Sequence, residues 1–271
     1  MDWRFRGKYV LKGQLACVTG LHIGGTAEGI EIGGVDNAII RDPLTELPYI
    51  PGSSLKGKLR HLLEWNLGVV EWNDKQKGFT AHGCGECDAC KIFGTSADAP
   101  EIRQEKSGPT RLTVRDAFPT GYDEFVTSNG ETFPEGSTIA KWQAWLGEGV
   151  YSEIKTENAI DRVTSEANPR PMERVPAGST FAFEMIFDVY HGNDNALLKS
   201  LFTAMRLLEN SALGGSGSRG HGQVHFENLS MEWRPVQYYV SGQDTDKQAI
   251  TLPGSELTGI IKDFNRIVWP Q

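Results

Sequence analysis

The sequence predicts an α+β fold, an antiparallel sheet with two helices, and three observations lead there. Phe181, Phe183, Met185, Phe187 and Val189 alternate with polar or small residues, the period of a strand buried on one face. Two other stretches repeat leucine at helical spacing. The elements then fall in the order strand, helix, strand, strand, helix, strand, which is the ferredoxin-like split βαβ order.

A first strand is expected over Val10–Val18. In SSLKGKLRHLLEW, Leu55, Leu59, Leu62 and Leu63 form a helical stripe, and Ser53 or Ser54 is available as its cap. A weaker strand follows at Leu112–Asp116, then the alternating strand at Phe181–Val189. In NALLKSLFTAMRLLENSALGG, Leu197, Leu201, Met205 and Leu208 mark a second helix, with Gly214 placed to stop it. Val224–Met231 closes the order as a strand. Around this core, within residues 1–236, lie three long insertions at 21–52, 67–110 and 119–178. The stretch SEANPRPMERVPAGS in the last of them suggests a protruding hairpin. Residues 237–271 form a polar C-terminal extension in which Ile260, Ile261 and Trp269 suggest docking.

At 271 residues the chain is long enough for a substantial core. No run approaches the roughly 20 apolar residues a bilayer span requires. The start, MDWRFRGKYV, has no apolar stretch of the secretory kind, so a cytoplasmic protein with no membrane partner is expected. The net charge of -8 argues against nonspecific nucleic-acid binding. Its distribution is uneven: residues 1–62 hold eight Lys/Arg against six Asp/Glu. That leaves room for a narrow nucleic-acid groove.

The sharpest chemistry is AHGCGECDAC, where His82, Cys84, Cys87 and Cys90 bring three of the four cysteines together with an imidazole. Cys-x-x-Cys spacing with a nearby histidine suits one structural, tetrahedral Zn2+. An iron–sulfur cluster would normally take four cysteines, and three unligated loop thiols would invite oxidation. Four protein ligands leave no open position, so this site is expected to brace rather than to react.

Residues 20–64 are rich in glycine, which lets backbone approach a ligand closely. Ser53 and Ser54 then open a helix whose N–H groups could meet phosphate, with Lys56 and Arg60 sharing a face. The plain alternative for that pair is a solvated helix face. A second loop, GGSGSRGHG, follows a helix and precedes a strand, the reverse of a dinucleotide fold. It is either a backbone nest for phosphate with Arg219 beside it, or a bare turn. No nucleophile elbow is present. Asp36 and Asp42 could hold Mg2+ or act as a base against a ribose 2'-hydroxyl, or could simply form turns.

The motifs IGGVDNAIIRDP, LPYIPGSSLKGKLR, ENAIDRVTSEANPR and LGGSGSRGHGQVHFENL, in this order, resemble the RAMP-superfamily backbone subunits of type III-A CRISPR effector (Csm) complexes. The resemblance spans about Gly13 to Leu229. It implies an RRM-like core with an inserted lid and thumb, copies that polymerise along a guide RNA beside other subunits, and cleavage of single-stranded target RNA at regular intervals. The aspartate of the Ile-Gly-x-x-Asp motif falls on Asp36, which would then cut with Mg2+ or another divalent cation. By the same resemblance His22, Ser54, Lys56, Arg60, Gly215, Ser216, Gly217 and Arg219 would hold guide RNA. The thumb, about Glu157–Val175, would bring Arg162 and Arg170 to RNA. The cysteine region and STIAKWQAWLGEGV depart from the shortest members, and Trp142 and Trp145 read as local core. A silent guide-binding scaffold and a guide-processing ribonuclease of the same superfamily, acting through His22, are the alternatives.

Overall fold

The computed structural model describes residues 3–25, 38–74, 77–95 and 102–270. Its strands are β1 (Gly7–Cys17), β2 (Glu71–Asn73), β3 (Gly78–Thr80), β4 (Leu112–Val114), β5 (Phe118–Pro119), β6 (Glu153–Ile160), β7 (Ala167–Arg174), β8 (Thr180–Val189), β9 (Val224–Pro235) and β10 (Gln248–Ile250). Its α-helices are α1 (Gly52–Leu67), α2 (Asp88–Phe93), α3 (Tyr122–Thr127), α4 (Thr138–Leu146), α5 (Leu197–Glu209), α6 (Val236–Ser241) and α7 (Leu257–Lys262). None of these is long and apolar enough to cross a membrane.

The main sheet is antiparallel in the order β10-β9-β1-β8-β4, with β5 pairing further along β8. Alternation sends Tyr9, Leu11, Leu15, Phe181, Phe183, Met185 and Phe187 to one face, where all are buried. Along β9 the parity changes between Phe226 and Met231, both buried, because a bulge interrupts its pairing with β1. Asn228 sits at φ +54 in that bulge. Helices α1 and α5 pack on each other through Leu55, Leu59 and Leu63 and through Leu201, Met205 and Leu208, all fully buried. Each such leucine contributes roughly 2 kcal/mol from apolar area removed from water. The other sheet face carries cross-strand ion pairs: Lys8–Asp188 at 2.7 Å, Lys12–Glu184 at 3.3 Å and Arg115–Glu184 at 2.6 Å, with Arg234–Glu232 beside them.

Several expectations are corrected. Neither Ser53 nor Ser54 caps α1; its N-cap is Pro51, and the Gly52 N–H donates to the Asp116 carboxylate at 2.7 Å. The second helix stops at Glu209 rather than running to Gly214, because Leu213 must turn to donate to the Gly222 carbonyl. STIAKWQAWLGEGV contains a helix, α4, capped by Ser137, whose side chain accepts from Ala140 N–H. Trp142 is core, donating its indole N–H to Ser179 at 2.7 Å, but Trp145 is 53% exposed because it lies on the outer side of this short helix. The tail is not merely polar. It adds β10 to the edge of the sheet and buries Leu257, Ile260 and Phe264, with α7 packed on α5.

Candidate nucleic-acid interface and metal-ligand cluster

Three irregular segments leave the same end of the sheet. Ala16 pairs with Thr180 and Cys17 with Val224, so the chain leaving β1, the β6–β7 hairpin entering β8 and the glycine-rich loop entering β9 are neighbours. Backbone bonds tie them together: Leu21 N–H to Val175 O at 3.0 Å, Gly222 N–H to Gly20 O at 3.0 Å and Gly215 N–H to His22 O at 2.8 Å. Gly214 has φ +75, and a Cβ there would lie 2.2 Å from the His22 carbonyl oxygen, so only glycine fits. His22 is buried beneath the loop, and its Nδ1 lies 2.7 Å from the Glu173 carbonyl. A carbonyl only accepts, so Nδ1 carries a proton in this contact.

Glu173, at the base of the hairpin, gathers the neighbouring segments. Its Oε1 accepts from Arg41 Nη2 and Ser152 Oγ, both at 2.5 Å, and its Oε2 accepts from Ile39 N–H at 2.9 Å. Burial pushes this carboxyl up, but the bonds from Ser152, Ile39 and Arg41 outweigh it and hold the group below the usual carboxylate range. Asp36 lies outside the described residues. The described residues on either side pair with each other, Gly25 N–H to Ala38 O at 3.1 Å and Ile40 N–H to Ile23 O at 2.9 Å. Asp42 is a turn former: its Oδ1 accepts from Leu44 N–H, Thr45 N–H and Thr45 Oγ1.

The glycine-rich loop is latched to the hairpin through Glu157. Arg219 Nε meets Glu157 Oε2 at 2.7 Å and His221 Nε2 meets Oε1 at 2.8 Å, while Arg219 Nη2 donates to Ser216 Oγ at 2.7 Å. Burial raises the Glu157 carboxyl, but the bonds from His221 and Arg219 more than offset this and lower it. Arg170 stands opposite Glu157 in the β6–β7 register and is exposed. Arg162 is exposed in the tip turn, which Asp161 Oδ1 closes by accepting from the N–H groups of Val163 and Thr164.

On α1 the two cations named from sequence turn inward. Lys56 Nζ donates to the Leu112 carbonyl at 2.7 Å, and Arg60 bonds Glu64 Oε1 at 2.7 Å and the His82 carbonyl at 2.6 Å. Gly52 N–H at the helix start is taken by Asp116, and Ser54 N–H returns to Pro51 O. Lys58, between the two, instead lines a cleft of about 720 Å³ with Gly214, Gly217, Ser218 and His221. Sequence reasoning passed over Lys58. The signal available was its position four residues after Ser54, on the side opposite the leucine stripe.

The cysteine cluster assembles at the C-terminal half of α1. The ligand atoms of His82, Cys84, Cys87 and Cys90 all lie within 4.8 Å of one another. A tetrahedral zinc with these donors needs sulfur–sulfur edges of about 3.8 Å, so a small contraction closes the site. Gly85 at φ +80 makes the turn, and Glu86 N–H and Cys87 N–H point at Cys84 Sγ at 3.3 and 3.4 Å, as donors to a thiolate do. The hydrogen bond from Cys90 lowers the Cys87 thiol to about 5 and raises that of Cys90. Glu64 accepts from His82 N–H, so Glu64 and Arg60 clamp the backbone of the first ligand to α1. The three sulfurs and one imidazole suit a borderline-soft ion rather than Mg2+. The fourth cysteine, Cys17, is buried in β1, and burial pushes its thiol up to about 12.

With this geometry described, likeness to known proteins gives it a lineage. The family profile of the RAMP superfamily matches residues 14–225. A curated relative from Methanothermobacter thermautotrophicus, CRISPR system Cms endoribonuclease Csm3, is 47% identical over 87% of this chain and 90% of its own. The protein of the same name from Methanocaldococcus jannaschii is 40% identical over 90% and 88%. A chain in the crystal structure of the Csm3-Csm4 subcomplex in the type III-A CRISPR-Cas interference complex has a TM-score of 0.59 at 29% identity, over 100% of both chains. Methanopyrus kandleri Csm3 gives 0.53 at 25% identity, over 87% of this chain and 79% of its own. The chain therefore belongs to the RAMP superfamily and, within it, to the Csm3 family.

Proposed function

We propose that this chain is a repeated backbone subunit of a type III CRISPR effector complex, which holds guide RNA and cuts complementary target RNA at regular intervals. The observation that carries this reading is the joining of three segments at one end of the sheet through His22, Glu173 and Glu157, in a chain 47% identical to a Csm3 endoribonuclease. The strand order supports a ferredoxin-like, RRM-like core in residues 1–236, with insertions at 21–52, 67–110 and 119–178 and an extension at 237–271. The β6–β7 hairpin acts as the thumb, and Arg162 and Arg170 are exposed on it to meet RNA. Guide pairing supplies sequence choice, and the glycine-rich loop with Arg219 and Lys58 holds backbone phosphate.

In this reading Asp36 assists attack of a ribose 2'-hydroxyl on the adjacent phosphorus by taking the hydroxyl proton. The O5' bond breaks, the 5' oxygen is protonated from water, and a cyclic phosphate remains. The thumb kinks the strand so that attacking and leaving oxygens come into line. A divalent cation, when bound, neutralises charge on the phosphate. The carboxylates of Glu173 and Asp42 are already bonded within the chain, so such a cation would be held by phosphate oxygens, with Asp36 reaching it through water. Zn2+ at His82, Cys84, Cys87 and Cys90 is structural, and its reduced thiols agree with a cytoplasmic setting. The guide-processing alternative through His22 gains nothing here, because that ring is buried and bonded to Glu173 O.

The test is target cleavage by the complex assembled with Asp36→Ala. Cutting should fall by at least about a hundredfold, as expected when a proton-transfer group is lost, while guide binding is retained. Undiminished cutting would remove Asp36 from the chemistry and leave a binding scaffold.

A further inference from the structure

Helix α1 has an outward stripe of which the proposed function uses only Lys58, near its start. Ser54, Lys58, His61 and Trp65 follow one another at i, i+4, i+7 and i+11, opposite the buried leucines, and span about 16 Å along the axis. The stripe begins at the cleft that Lys58 shares with the glycine-rich loop. It ends in an aromatic cluster built with the β2–β3 hairpin: Trp65, Trp72 and Phe79 are 53%, 55% and 60% exposed. Phe79 lies 5.8 Å from Trp65 and 5.3 Å from Trp72 between ring centroids, at 59° and 83°. The first pair is tilted and the second near-perpendicular, so neither pair stacks face to face. The clamp of His82 onto Glu64 and Arg60 fixes the hairpin beside this helix.

We infer that this stripe is a track for single-stranded RNA, in which Lys58 meets phosphate and Trp65, Phe79 and Trp72 stack on unpaired bases. The inference rests on the RNA-binding reading and extends it from Lys58 to the aromatic cluster of Trp65, Trp72 and Phe79, which lies outside the motifs that carry that reading. Continuity with the glycine-rich loop favours a nucleic acid over a protein partner, because Lys58 lines one cleft with that loop and stands on the same side of α1 as Trp65. Charge along the way agrees: the stripe carries Lys58 and no carboxylate, and exposed Lys77 stands at the hairpin turn. Glu71 and Asp74 border the far end, and Asp74 takes the Trp72 indole N–H at 3.0 Å. That excludes phosphate there and leaves the ring faces as the contact. Stacking on exposed rings needs unpaired bases, so the ligand is a single strand rather than a duplex.

The experiment uses the full-length, zinc-loaded protein and labelled oligouridylate, read by anisotropy and by quenching of tryptophan fluorescence. The pair Trp65→Leu with Trp72→Leu keeps the surface apolar but removes the large π-faces, and affinity should fall about tenfold or more. The pair Trp65→Phe with Trp72→Phe keeps aromatic faces and should recover most of it. Zinc content equal to the parent's certifies the fold. Leucine variants that bind like the parent would overturn the track, as would unquenched parental fluorescence on saturation. So would a leucine pair that binds RNA normally yet no longer associates with other copies of the chain, since the patch would then be a protein contact. A parent that binds no RNA would sink the functional reading itself. Cleavage lost in Asp36→Ala but unchanged in the leucine pair, with RNA affinity unchanged, would sink only the track.

Discussion

Replacing Glu173 by alanine should loosen the joint between the hairpin base and the Ile39–Arg41 segment. The carboxylate is mostly buried and accepts three hydrogen bonds, from Arg41, Ser152 and Ile39 N–H. Bonds to a charged group are worth about 1.5–3 kcal/mol each but do not add, and Arg41 remains partly hydrated after the loss. The expected cost at neutral pH is about 3 kcal/mol, or a fall in melting temperature of about 9 °C for a chain of this size. Urea denaturation of parent, Glu173→Ala, Arg41→Ala and the double variant measures it, and the cycle should return a coupling of about 1 kcal/mol or more. The pH dependence follows from the lowered carboxyl. Its stabilisation is fully present above the unfolded carboxyl value of about 4.3 and is lost as pH falls through the still lower folded value. The parent's advantage over the alanine variant should therefore hold from neutral pH to about pH 5 and shrink below about pH 4. A neutral-pH cost under about 0.5 kcal/mol, or an advantage that persists unchanged in acid, would refute the argument.

Two further predictions concern the metal cluster and backbone crowding. Elemental analysis should find zinc in the parent and not in Cys90→Ser, and that variant should be more protease-sensitive across residues 78–93, because metal binding supplies local folding energy; purified parent without zinc would defeat this. Gly214→Ala, whose new methyl meets the His22 carbonyl at 2.2 Å at φ +75, should cost about 2–4 kcal/mol in urea titration, whereas Gly57→Ala, with nothing within 4 Å in mid-helix, should gain about 0.5–1 kcal/mol.

Elements whose residues pattern against water were legible in the sequence. The alternation Phe181–Val189 became β8 almost to the residue, and the leucines of α1 and α5 are the buried stripe. Short elements such as β10, α6 and α7 escaped because three to six residues carry too few periods to rise above composition. The cysteine cluster was legible because its ligands are close in sequence and their convergence is a local turn. Lys56 and Arg60 show the opposite case. Spacing says that they share a side of α1, but only the partners on that side, Leu112 O and His82 O, say that it faces protein. The Glu173 and Glu157 joints were invisible for the same cause, since each links residues more than 60 positions apart.

The ion pairs of this acidic chain bear on how a protein of net charge -8 can hold a polyanion at all. Lys8, Lys12, Arg115 and Arg234 have carboxylate partners on the sheet face, and Arg41, Arg174 and Arg219 have them at the loop end. In the proposed reading a phosphate would take Arg219 from Glu157, so each new contact costs an internal ion pair. Counterions condensed on the strand are still released, so binding should weaken with salt as for other nucleic-acid binders, but each contact gains less than a free cation would give. Affinity then depends on the same weak contact repeated from subunit to subunit along the strand.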